Sequence, residues 1–378
     1  MINIFISIGF TILALFLRFK CLLNRELWND EVYQLSRIAG PFQPFWERHA
    51  YGDMTTFPGE YIITYPCVLI FGDNKWGINA SHILLTIIGF YFLYKLCSRY
   101  FKTPMGFVVT FAIVALNQHL IFHAFEFRPY GVLVTLSIIV FYYLNVLFDQ
   151  WSELTKINKI AFGMFFGIIS LFHPYSILIV SFPALYLLLV HLRKENNRKI
   201  FEIFNYLLIV LLIVLPFWIY YATGNPLGIT KEVLHSHGKT TFQFIPHPAE
   251  SFNRFFNYVF LYYLIGIKRL YFLLGGLILL IVVPFKNKKS LFLFFPIVIF
   301  LPIMLILAAD LYNGYWFLIR QYIYLAPMLA FFLGWIWDRA VNFYVDPVQR
   351  QFTPRSILGF IVMVGCFSAG MIGLILYI

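Results

Sequence analysis

The sequence predicts an all-α polytopic membrane protein. Its 378 residues are 61% hydrophobic and only 12% charged, where a soluble domain carries about 25% charged residues. Mean hydropathy is +0.79. Apolar runs of roughly 18 residues or more recur from end to end, the length at which a helix crosses a hydrocarbon core. These runs do not alternate apolar and polar with period two, which argues against an outer-membrane barrel.

Taken in order, the runs at 2–19, 76–97, 104–123, 130–148, 159–176, 177–192, 203–222, 267–285, 291–309, 321–337 and 356–378 predict about eleven transmembrane helices in one domain, 1–378. The first run has no basic segment before it and no small-residue cleavage pattern after it, so it reads as a retained span. His173-Pro174-Tyr175 divides 159–192, where a short external turn would separate two spans. There is no internal repeat, low-complexity tract or separate soluble domain.

Orientation follows from lysine and arginine in the loops. With the N-terminus in the cytoplasm, the cytoplasmic loops hold 15 positive and six acidic residues, and the outside holds 13 and 11. The short basic loops at 193–199 and 286–289 dominate, while Arg18 and Lys20 argue the other way. The net charge of +11 is thus topological and gives no reason to expect nucleic acid. Two long segments then face outward, 20–75 and 223–266, on what would be the outer face of a bacterial inner membrane.

The first external segment contains Leu27-Trp28-Asn29-Asp30-Glu31-Val32-Tyr33. Asn29 can cap a helix, Asp30 and Glu31 sit in its first turn, and Val32, Leu35 and Ala39 share a face. This describes an amphipathic helix on the bilayer with its acidic end at fixed depth. On the local pattern alone, an ordinary interfacial helix with solvated acids is the plainer reading. Pro41, Pro44, Pro58 and Pro66 and the short run 61–71 predict further interfacial helices, none long enough to span.

Charges at membrane depth are costly and usually functional. His123, Glu126 and Arg128 fall between the third and fourth spans, on the same side as Asp30. Arg320 opens the tenth span after Asp310 and an aromatic group. A solvated Glu126–Arg128 pair and a snorkelling Arg320 are the plain alternatives. His173 on its own reads as a satisfied buried histidine. His235, His237 and His247 lack metal-ligand spacing, and Cys21, Cys67, Cys97 and Cys366 form no CxxC pair and read as free thiols. Together, three carboxylates and two arginines from distant parts of the chain share one face. They would supply a general base and a cationic clamp for a phosphate leaving group. No Walker loop or GxGxxG accompanies them.

These residues resemble a known family. Asp30-Glu31 after the first span is similar to the Asp-Glu signature in the first external loop of GT-C glycosyltransferases. The nearest branch is that of protein O-mannosyltransferase-like and aminoarabinose-transferase-like enzymes. Ala124-Phe125-Glu126-Phe127-Arg128-Pro129-Tyr130 resembles the branch's Ser-Arg-Glu-Ala-Arg-Pro-Tyr element. Phe71-Gly72-Asp73, with Tyr94-Lys95 and Arg99-Tyr100-Phe101 beyond it, resembles its FGD stretch, and Arg320 with Pro327 resembles a late Arg-Tyr…Pro helix. The likeness is good over about 1–190 and thin thereafter. Thr56-Phe57-Pro58 stands where the family has His-Pro-Pro, Asn79 where an arginine follows FGD, and Gln321 where a tyrosine follows the late arginine.

The resemblance implies sugar transfer from a polyprenyl-phosphate-linked donor in the membrane lipid to an acceptor hydroxyl at the external face. The acceptor would be a glycan, a glycolipid or a protein. Asp30 would be the base, with Glu31 beside it and Glu126 orienting the acceptor. Arg128 and Arg320 would offset charge on the departing phosphate, and His123, His173 and Tyr130 would contact the acceptor or line the site. No cofactor follows from the residues, and participation of a divalent metal is left open. A transporter or flippase of lipid-linked glycans is the rival from another class. Such proteins tend to show repeat symmetry and mid-span ionisable residues, whereas here the acids gather at one face.

Overall fold

The computed structural model describes residues 1–27, 31–32, 35, 58–173, 175–192, 197–222, 270–283, 288–312, 319–345 and 354–375. All regular structure among them is helical. The chain runs through α1 (Ile2–Asn24), α2 (Pro58–Phe71), α3 (Lys75–Tyr100), α4 (Pro104–Leu116), α5 (Gln118–Phe122), α6 (Pro129–Gln150), α7 (Lys156–Ile169), α8 (Ser176–His191) and α9 (Asn197–Ala222). Then come α10 (Leu270–Val282), α11 (Lys288–Phe294), a π-helical turn (Phe295–Phe300) and α12 (Leu301–Tyr312). A 3-10 segment (Ile319–Leu325) leads into α13 (Ala326–Val345), and α14 (Pro354–Ile375) ends the described chain. The protein is an all-α polytopic membrane protein, and every predicted apolar run overlaps one of these helices. Among the described residues five helices are long and apolar enough to cross a membrane: Ile2–Asn24, Lys75–Tyr100, Pro129–Gln150, Asn197–Ile219 and Ser290–Ala308. All four cysteines are free.

Helix boundaries follow local chemistry. Gly72 takes φ +85°, and the Asn74 side chain accepts hydrogen bonds from the backbone N–H of Trp76 and Gly77, turning the chain from α2 into α3. Pro104 and Pro129 occupy the first turns of α4 and α6, where a missing N–H is harmless. The run 61–71, read as too short to span, falls in α2, a 14-residue helix lying against α3.

The bundle is built around α4, α6 and α13. In α6, 78% of the apolar window is buried, against 11% in α9, so α6 is central and α9 faces outward. Helices α4 and α13 approach through small residues. A Cβ on Gly334 would lie 1.9 Å from Thr110 Oγ1 and 2.7 Å from the Gly106 carbonyl. At the end of this contact the Asp338 carboxylate accepts from the N–H groups of Lys102 and Thr103 and from the Thr103 hydroxyl, capping α4 from across the interface. Gly334→Val should therefore lose about 1–3 kcal/mol of stability through overpacking, read as a lower unfolding temperature in detergent. Gly9→Ala, where nothing lies within 4 Å, should leave that temperature unchanged.

Candidate active site

The site begins with a broken helix. The apolar run 104–123 is not one helix: α4 stops at Leu116, and Asn117 caps the short α5 by accepting from His119 and Leu120 N–H. The carbonyls left over at the end of α4 lie in an apolar interior, where each needs a donor. Arg18 supplies them. From α1 its guanidinium donates to the carbonyls of Val114 (3.0 Å) and Ala115 (3.2 Å), and to Ala14 in its own helix (3.1 Å). Arg18 is buried and also lies over the Phe90 ring, so it is not the loop charge the sequence reading made it.

Beyond the break, residues 123–128 form a polar loop that leads into α6. A bidentate ion pair holds it. Arg25 Nη2 lies 2.6 Å from Glu31 Oε1 and Nη1 lies 3.1 Å from Oε2. The same Nη2 donates to the Phe125 carbonyl (2.8 Å), while Glu31 Oε1 accepts from the Phe127 N–H (2.6 Å). Glu31 is fully buried, and Lys75 donates to the Arg25 carbonyl from the start of α3. Charge-assisted bonds of this kind are the strong ones, and here they fix two successive turns of loop backbone.

On the loop itself, Glu126 is fully buried and its carboxylate pairs with His123 Nδ1. The Tyr130 ring lies 6.3 Å from His123 and 5.9 Å from His173, so the three rings make a row from α5 across α6 to the α7–α8 turn. In that turn His173 Nδ1 accepts from the Tyr175 N–H. Arg128 is the N-cap residue of α6. Thus Glu31, His123, Glu126, Arg128, Tyr130 and His173 do converge. Asp30 lies outside the described residues, as do His235, His237 and His247. Of Arg320 only the backbone is described, in the 3-10 segment that packs on α6; Ile323 of that segment shares a small internal cavity with Arg18, His123 and Thr135.

Two further residues escaped the sequence reading. Glu60, in the first turn of α2, is fully buried, with His82 Nε2 of α3 3.4 Å from its Oε1. His82 Nε2 is also 3.4 Å from the Arg128 carbonyl, and the His82 ring meets Phe127 edge-on at 6.5 Å. The signal was present: a lone acid at the edge of one apolar run and a lone histidine inside another are as costly as Glu126. Among the described residues no three His, Cys, Asp or Glu side chains gather as a metal-binding group.

The opposite end of the bundle is different in kind. There Arg99 pairs with Asp149, but their side chains are 30% and 41% exposed, and such solvated pairs contribute little. The Arg25–Glu31 pair is the buried one. Arg25→Met should cost roughly 3–5 kcal/mol by removing the cation that is matched to the buried Glu31 charge. Adding Glu31→Leu should recover much of that loss of thermal stability, whereas additive losses would show that the pair is not coupled.

Residues 58–220 match the family model described as dolichyl-phosphate-mannose-protein mannosyltransferase. No curated protein matches the chain. The matched region includes Glu60, His82, the whole loop 123–128 and Tyr130 in the first turn of α6. A family match across the part of the chain that builds the buried polar loop, within an apolar helical bundle, supports a GT-C-like membrane glycosyltransferase.

Proposed function

We propose that this glycosyltransferase moves a sugar from a polyprenyl-phosphate-linked donor to an acceptor hydroxyl at the external face of a bacterial inner membrane. The observation that carries the reading is the buried loop 123–128, with its acidic and basic groups, inside the region that matches the mannosyltransferase family. A lipid-linked donor suits a chain without a nucleotide-binding loop, since the driving energy lies in the sugar–phosphate bond.

In the proposed step the acceptor oxygen attacks the anomeric carbon as the bond from that carbon to the phosphate oxygen breaks. The bonding pair leaves with the lipid phosphate, and Asp30 takes the hydroxyl proton. Arg128 and Arg320 offset the growing negative charge, a role suited to planar guanidinium groups. Glu126, steadied by His123, orients the acceptor beside Tyr130 and His173. Glu31 serves by keeping the loop in place, because its carboxylate already accepts from Arg25 and Phe127.

Asp30→Asn should lower turnover of a defined polyprenyl-phosphate sugar by about 10²–10⁴ while leaving donor binding intact, since only the proton acceptor is lost. Glu31→Gln should instead show as a lower unfolding temperature with turnover per folded molecule largely kept. Wild-type turnover in Asp30→Asn would refute the assigned base.

Orientation has its own test. In a background without native cysteines, Thr240→Cys should react with an impermeant thiol reagent in intact cells, and Asn197→Cys and Lys288→Cys should be shielded. The reverse pattern would put Asp30 in the cytoplasm and remove the basis for an external lipid donor.

A further inference from the structure

We propose that the cavity between α1, α3 and α6 is a binding site for one water molecule, held by Arg18, Thr86 and Thr135 where the loop 123–128 begins. Three polar groups from three helices border that space, and each has an atom that no described residue bonds.

Arg18 is 3% exposed, and its two terminal nitrogens donate to the carbonyls of Ala14, Val114 and Ala115. Its Nε–H is buried with no acceptor. A hydroxyl on a helix ordinarily returns to its own backbone one turn back, as Thr11 does to the Ser7 carbonyl (2.6 Å) and Ser170 to the Phe166 carbonyl (3.0 Å). Thr86 and Thr135 are both buried, and among the described residues neither hydroxyl has such a partner. Thr135 faces α3 instead, with its Oγ1 only 2.9 Å from where a Cβ on Gly89 would lie. Gly89, nearly one turn after Thr86, thus leaves open the space that the two threonines border.

The cavity measures about 20 Å³, and a water needs roughly 10–15 Å³ with about two to four polar partners. Leaving an N–H and two hydroxyls unpaired in apolar surroundings is more unfavourable than ordering one water. A small anion could accept from the same donors, and Arg18 is a buried cation with no carboxylate beside it among the described residues. The Val114 and Ala115 carbonyls decide against an anion. They are the negative end of α4, they already offset the guanidinium, and they would repel a negative charge placed next to it. A neutral molecule that both accepts and donates suits the site better. The water oxygen accepts from Arg18 Nε–H and from one threonine hydroxyl, and one of its hydrogens goes to the oxygen of the other threonine. The rest of the wall is largely apolar, including Phe90, Leu93, Val134 and Ile138, so the polar positions are few and close together. His123 and Ala124 also line the cavity, so the bound water joins α1, α3 and α6 directly beside the start of the loop.

Purified full-length protein in detergent tests the site without any need for turnover. Thr86→Val and Thr135→Val keep the side-chain shape and each remove one hydroxyl. With a water bound, each should lower the unfolding temperature by about 2–4 °C, the equivalent of one hydrogen bond. The double variant should lose little more than either single one, because both remove the same molecule. Without a water the sign reverses, since an unpaired buried hydroxyl is less favourable than a methyl group. An unchanged or raised unfolding temperature, or losses that simply add, would overturn the proposal. A density map at near-atomic resolution should show one peak within about 3.2 Å of Arg18 Nε and of the two threonine Oγ1 atoms; no peak there would reject the site. Exchanging chloride for gluconate should leave the wild-type unfolding temperature unchanged. A fall on removing chloride that Thr135→Val abolishes would make the occupant an anion and not water.

Discussion

An arginine buried in an apolar bundle has to be given acceptors, and a helix that ends inside such a bundle has to be given donors. Arg18 and the C-terminal end of α4 meet both needs at once. Were α4 to continue past Leu116, its carbonyls would be satisfied internally and the Arg18 guanidinium would lose two of its three acceptors. Because the helix stops there, the chain can run through α5 into the loop at 123–128 without leaving the protein interior. That loop then carries the acid, the histidine and the arginine on which the functional reading depends.

Backbone in a low-dielectric interior must be held from outside itself, and here an ion pair and a helix do so. The Arg25–Glu31 pair grips the Phe125 carbonyl and the Phe127 N–H, and His82 reaches the Arg128 carbonyl from α3. The loop's own acid, Glu126, is paired within the loop to His123. Such anchoring fixes dipoles before any substrate arrives, which is the condition under which they contribute most to a charge-developing reaction.

Much of this was legible in the sequence. The apolar runs located the helices, because helix position in a membrane is dictated by hydropathy. His123, Glu126 and Arg128 stood out because they interrupt apolar sequence as a group. Arg18 was read as a loop charge because its partners are the carbonyls of Val114 and Ala115, nearly one hundred residues away, and a carbonyl leaves no trace in residue identity. The break at Asn117 was hidden for a related reason: Asn117, Gln118 and His119 are a short polar step within a run that is apolar before and after them, and a cap is read from backbone geometry and not from residue type. Glu60 and His82 were missed as lone polar positions, one just before the run 61–71 and one inside the run 76–97, although the cost of burying them is the same.

The described acids around the loop share one arrangement. Glu31 is matched to Arg25, Glu126 to His123, and Glu60 to His82, each pair joining a carboxylate to a basic side chain within a few residues or on a touching helix. Pairing at this level lets three carboxylates sit in an apolar setting without summing to a large negative field that would repel a lipid phosphate. It also separates tasks. A carboxylate beside a basic side chain is held in one orientation by that partner. Positioning therefore suits the paired acids. In the proposed reaction, proton removal then falls to Asp30, and charge on the departing phosphate to Arg128 and Arg320.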